Sequence, residues 1–185
     1  MGSIRDTIRQ FDELLSYVDA GLQDVATAVY GTDLVALVTN RVVQRGETFN
    51  GSRFKPYSRR TVAAWRFWGK SRNQSAENKV RAISREGGAL SYAEFRGLNN
   101  LNTDKKNFEF TGQMWRQFGI VKISVNDGRF KVLIAGTSKD AQQKIDENTE
   151  REGVSIIEAS QDEREVATEG LRSWLDQASN RILKQ

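Results

Sequence analysis

From Gly119 to Val125 apolar and polar residues alternate, Asn126-Asp127-Gly128 follows, and Phe130, Val132 and Ile134 resume the alternation up to Gly136. A period of two on either side of a turn that needs positive φ fixes an antiparallel hairpin, with Val121, Ile123 and Val125 on one face. Elsewhere the apolar residues recur at helical spacing, so the fold must place helices around one small sheet. This is an α+β chain, with four main helices packed on a small antiparallel sheet. Its 185 residues fit a single domain, 1–185, long enough to bury a core without disulfides or metal.

The first helix is expected over 4–29, where Ile4, Ile8, Phe11, Leu15, Val18, Leu22, Val25 and Val29 recur at steps of three and four. Gly31 should end it and Thr32 cap a second helix to about Gln44, striped by Leu34, Leu37, Val38 and Val42. Residues 46–58 read as loop. Ser58 then opens a short helix carrying Thr61, Trp65 and Trp68. Residues 71–107 are rich in Ser, Asn, Gly and charge and are expected to form a long flexible insertion. Weak helical stretches fall near Ala76–Ser84 and Tyr92–Phe95 within it, and Gly87-Gly88 reads as a hinge. After the hairpin, Ser138 opens a polar helix over about 140–151, which Gly153 stops. Ser160-Gln161-Asp162-Glu163 has the form of a capping box for the last helix, with Ala167, Leu171, Trp174, Leu175, Ala178 and Ile182 on one face. No apolar run is long enough to cross a membrane as a helix.

The chain contains no His and no Cys. That removes His-activated nucleophiles and thiolate metal sites, so Ser58 and Thr61 are not expected to act in catalysis and no cofactor or metal is expected. The acids Glu163, Glu165 and Glu169 read as a solvated helix face, not a metal cluster. Charge is strongly segregated. Between Arg41 and Arg85 twelve bases face two acids, a local +10, whereas between Lys139 and Asp176 eleven acids face five bases, a local −6. Such a chain can hold nucleic acid through one half, or pack head to tail with copies of itself. The contact candidates are Arg53, Lys55, Arg59, Arg60 and Arg66 on the basic side, with Glu163, Glu165 and Glu169 on the acidic side. Trp65 and Trp68 lie within the basic stretch. They read either as core residues three apart on a helix or as part of a nucleic-acid or protein interface.

Two short motifs carry a family resemblance. The first is Pro56-Tyr57-Ser58-Arg59-Arg60-Thr61, an aromatic and Pro followed by Ser-x-x-Thr. The second is Phe108-Glu109-Phe110-Thr111-Gly112-Gln113-Met114, placed before the hairpin. In this order, and followed by Gly153, Ile156-Ile157 and Ser160-Gln161-Asp162-Glu163, they resemble the neck and tail-completion (virion morphogenesis, head–tail joining) proteins of long-tailed bacteriophages. The resemblance covers roughly residues 32–185. The segment between the motifs is longer than the family pattern, and the His that often follows the aromatic-rich helix is missing. Pro56, Tyr57, Ser58, Thr61, Phe110, Thr111, Gly112 and Met114 are the motif positions. The resemblance implies a structural virion protein at the neck/tail junction, assembled in the host cytoplasm as a ring of identical copies. Its partners would be adjoining neck or adaptor and tail proteins, with non-specific DNA contact in the channel and no membrane. The alternative is a basic DNA-binding accessory protein acting outside the virion.

Overall fold

The structure, a computed structural model, describes residues 4–108, 112–126 and 129–183. It is α+β, with seven α-helices and two small antiparallel two-stranded sheets among the described residues, where the apolar periodicity leads one to expect four main helices and one sheet. The chain divides into two compact units. Unit 1 comprises 1–38, 117–143 and 157–185, and unit 2 comprises 39–116 and 144–156. No described helix is long and apolar enough to cross a membrane.

In unit 1, α1 (Ile4–Val25) packs against α7 (Gln161–Leu183). Tyr17 stacks on Trp174 with ring centroids 5.8 Å apart. Close approach depends on small residues, because a Cβ at Gly21 would lie 3.1 Å from the Trp174 ring and one at Gly170 would lie 2.6 Å from Val29 Cγ1. The expected face of α7 is the buried one: Ala167, Leu171 and Ala178 are buried and Trp174, Leu175 and Ile182 half-buried. The expected stripe of α1 is covered only in part, since Ile8, Phe11 and Leu15 remain exposed. Gly31 does not stop the helical path. Residues Ala26–Gly31 form a wider π-helical turn, and Thr32 has helical φ −67°, ψ −46°, so the path continues into α2 (Thr32–Asn40), with Thr32 as its first residue.

The hairpin is β3 (Phe118–Asn126) with β4 (Arg129–Gly136). The tip residues Asp127 and Gly128 lie outside the described residues. Phe130, Val132 and Ile134 share the half-buried face, as their alternation predicts, and Tyr30 meets Phe130 edge-on at 5.2 Å. A register shift between Ile120 and Lys122 leaves Val121 as a bulge, so Val121 is exposed and leaves the face it was expected to share with Ile123 and Val125. Gly136 is required by space: an added Cβ would sit 2.3 Å from the backbone nitrogen of Gln142 at the start of α6 (Lys139–Glu152). The expected capping box is present. Glu163 N donates to Ser160 Oγ at 3.2 Å, and Ser160 N donates to Glu163 Oε2 at 2.8 Å.

Unit 2 corrects the largest expectation. Residues 71–107 are not a flexible insertion: the helical stretches expected near Ala76–Ser84 and Tyr92–Phe95 are present as α3 (Gln74–Arg85) and α4 (Tyr92–Leu98), and β2 (Ala89–Ser91), which was not expected, lies between them. β2 pairs with β1 (Thr61–Ala63), and a 3-10 turn follows over Ala64–Phe67. Ala64, Phe67, Val80, Leu90 and Phe95 form a buried cluster, with Val62, Ile83, Tyr92 and Leu98 around it. Phe67 and Phe95 stack at 4.5 Å. The segment is too polar to bury a core alone; Val62, Ala64 and Phe67 from upstream complete it. Gly87-Gly88 is the stop of α3 rather than a hinge, with Gly87 at φ +70° donating to Ser84 O and Gly88 donating to Ile83 O.

Two outcomes follow. Ser160→Ala should cost about 0.5–2 kcal/mol by orphaning a first-turn N–H, read as a lowered denaturation midpoint. Gly136→Ala should destabilise more than Gly51→Ala, although Gly51 sits at φ +81°, because nothing lies near Gly51 whereas backbone must move at Gly136. Chemical denaturation of both variants checks the order.

Candidate functional site

The two sequence motifs meet in unit 2. Tyr57 and Ser58 from the first, Gly112 and Met114 from the second, line one cleft of about 460 Å³, with Tyr92 and Phe108 adding aromatic wall. Phe110 and Thr111 lie outside the described residues. Pro56 is exposed just before Tyr57, and Thr61 is exposed on β1 opposite Ser91.

Asn107 is the hub behind the cleft. Its Oδ1 accepts from Tyr57 Oη at 3.0 Å and from Arg96 Nη2 at 3.1 Å. Its own N–H donates back to Tyr57 Oη at 3.2 Å, and its carbonyl accepts from Trp115 Nε1 at 3.2 Å, on the short helix α5 (Gln113–Arg116). Arg96 is 1% exposed, donates through Nε to Asn102 O at 3.0 Å, and lies 4.1 Å from the Tyr57 ring centroid. A buried guanidinium is tolerated because its N–H groups find carbonyl oxygens and its flat face meets an aromatic ring. Burial raises the Tyr57 hydroxyl above its ordinary value, against the lowering effect of the nearby Arg96 charge and the Asn107 backbone N–H. Tyr57 therefore stays a neutral donor at neutral pH.

Capping by Ser91, an unrecognised element of the sequence, fixes α4 and with it Arg96. Glu94 N donates to Ser91 Oγ at 3.2 Å and Ser91 N donates to Glu94 Oε2 at 2.7 Å. Ser91-x-x-Glu94 was legible as a second capping box. Beneath the basic rim, Lys106 Nζ pairs with Glu152 Oε1 at 2.5 Å, and the Glu152 side chain is only 2% exposed. Its other oxygen accepts from Lys55 N at 3.3 Å. The mouth carries Lys144, Glu147 and Arg151, with Glu147 and Arg151 3.9 Å apart.

Several candidates change role. Ser58 opens no helix: its Oγ accepts from Arg60 N at 3.2 Å in a local turn, and β1 follows. Glu163 is buried in its own capping box, so it is withdrawn as a surface contact, while Glu165 and Glu169 are exposed on α7. Arg53, Lys55, Arg59, Arg60 and Arg66 are all exposed. Trp65 and Trp68 are not core residues; they are 57% and 50% exposed. The reason is the 3-10 turn. At three residues per turn, positions three apart eclipse. Ala64 and Phe67 therefore point into the core and Trp65 and Trp68 away from it.

A second polar anchor holds this ridge. Both oxygens of Glu77, itself buried, accept from Gly69 N at 3.0 and 3.1 Å, and Arg81 Nε donates to Oε1 at 2.8 Å. The Gly69 N–H, then the Arg81 side chain, hold this carboxyl below the usual carboxylate range, against the opposing effect of burial. The Arg81 guanidinium in turn lies 5.9 Å from the Trp68 ring centroid.

Compared with protein-family models, with curated proteins and with solved structures, the chain has no match.

Asn107→Ala should cost about 1–3 kcal/mol, since it strips oxygen partners from a buried Arg and a buried Tyr hydroxyl at once; the loss is read by denaturant titration. Glu77 has a folded-state pKa below its unfolded value. Its stabilising contribution is therefore present above the ordinary carboxylate range and is lost as pH falls through the depressed folded value. Glu77→Gln should flatten that part of the acid limb of a stability–pH profile, and an unchanged limb would contradict this.

Proposed function

We propose that this chain is a structural protein of a tailed bacteriophage virion, forming a ring of identical copies at the head–tail interface, as a neck or tail-completion protein, through which DNA passes. It acts without turnover, beside neighbouring neck, adaptor and tail proteins, and without membrane contact. The observation that carries the reading is the junction at Asn107. Tyr57 of the Pro-Tyr-Ser motif and Trp115, directly after the Gly-x-Met motif, bond to that one residue, so two motifs far apart in sequence form one structural piece. The order of the motifs resembles the family, and their convergence gives that order a physical purpose. Charge segregation supports the ring: the bases named above are exposed on unit 2, and Glu165 and Glu169 are exposed on α7 of unit 1. Heterologous contacts that close into a ring need two different, complementary surfaces on each copy.

The exposed Trp65 and Trp68 among arginines favour a second reading, a basic accessory protein that binds DNA outside the virion. Mass photometry with negative-stain microscopy of the purified chain separates the two. Rings of defined copy number are expected. A monomer or dimer whose DNA affinity falls steeply with salt would overturn the ring and support the accessory protein.

A further inference from the structure

We infer that the ridge of Trp65 and Trp68 on unit 2 docks onto the acidic outer face of α7 of a second copy of this chain, around Val166. The inference rests on the ring reading above and names the contact that would close it.

The ridge is an apolar surface framed by cations. Trp65 and Trp68 project on the same side of the 3-10 turn, more than half of Trp65 and half of Trp68 exposed. Arg66 and Arg81 lie by the two rings, Arg81 also paired to Glu77, Lys70 follows two residues after Trp68, and all three are exposed. The rings are held rather than loose. The Glu77 carboxylate grips the Gly69 N–H directly after Trp68, and Arg66 and Arg81 lie 5.6 and 5.9 Å from the Trp65 and Trp68 centroids. A pre-ordered aromatic pair loses little entropy on docking, and Trp and Arg are among the residue types enriched at interface hot spots.

The complementary surface is on α7. Asp162, Glu165, Val166 and Glu169 stand at steps of three, four and seven, which puts them on one face of the helix. All four are exposed, and Val166 is 51% exposed. The opposite face carries the buried Glu163, Ala167 and Leu171. An exposed apolar centre among three acids is the charge inverse of two exposed indoles in a basic stretch that carries the exposed Arg66 and Lys70. Duplex DNA offers phosphate to the cations but no apolar counterpart to the indoles, because its bases are stacked away. The α7 face satisfies both. The ridge and the α7 face are different surfaces, so the contact is heterologous and can propagate around a ring.

Charge reversal with compensation tests this on the full chain. Arg66→Glu alone and Glu169→Arg alone should each raise the concentration for half-assembly by roughly tenfold or more, since each replaces attraction by like-charge repulsion. The variant carrying both reversals should recover assembly, because every interface then pairs opposite charges again. Assembly of the wild type should weaken with added salt. Circular dichroism and thermal melting confirm that each variant folds, and Val166→Asp, an exposed position, serves as a second probe that should also block assembly. Rings that form equally well in all variants would overturn this contact and leave the ring reading standing. A wild-type chain that never forms rings would overturn both. Intact assembly with lost DNA affinity in Arg66→Glu and in a Trp65→Ala, Trp68→Ala variant would reassign the ridge to nucleic acid.

Discussion

Unit 2 depends on keeping one positive charge out of water. Arg96 is essentially inaccessible, and an isolated buried charge is costly enough to unfold a domain of ordinary stability. The cost is offset by three arrangements at once: a carbonyl at Asn102, the amide oxygen of Asn107, and the face of Tyr57. The first two come from the 102–107 segment and the third from the stretch around Pro56. Satisfying the guanidinium therefore fixes α4, the 102–107 segment and the Pro56–Ser58 segment relative to one another. The cleft between the two motifs is a consequence of that constraint.

A similar economy runs through the ridge. Glu77 sits on α3 and holds the backbone after Trp68, while Arg81 one turn later reaches both Glu77 and the Trp68 ring. The Glu77 carboxylate pairs with Arg81 and offsets its charge locally, and Lys70, Lys79 and Arg85 are further exposed cations nearby in the sequence. In unit 1 the pattern repeats with Glu163, whose carboxylate is spent on the first turn of α7 while the outward acids remain available. In each unit, then, one acid builds the local structure, while the charges overall leave unit 2 with an excess of bases and unit 1 with an excess of acids. That separation makes a surface of one copy suited to a surface of another.

Much of this was readable from the chain. The hairpin, the face of α7, the stop at Gly153 and the Ser160 box follow from local rules: alternation, helical period, positive φ and side-chain capping act within a few residues of themselves. The segment 71–107 was not readable in the same way. Its apolar residues, Val80, Ile83, Leu90, Tyr92 and Phe95, are too few to make a core by themselves, and their partners Val62, Ala64 and Phe67 lie upstream across β1 and the 3-10 turn. Its two helices were readable as short helical stretches, and their caps at Asn73 and Ser91 were legible too, but not that they pack into a core.

What the sequence determined by itself was the hairpin and the longer helices, the absence of His and Cys, and the separation of charge into a basic and an acidic half, since each is a property of composition or of neighbours along the chain. Only the tertiary structure decided which of those residues face outward. Trp65 and Trp68 have the spacing of a buried helical pair, yet a three-residue turn gives their inward places to Ala64 and Phe67. Glu163 has the look of a surface acid, yet a cap buries it. Tyr57, Asn107 and Arg96 carry no local mark of belonging together. Burial is a relation between distant parts of a chain, and no rule of neighbouring residues contains it.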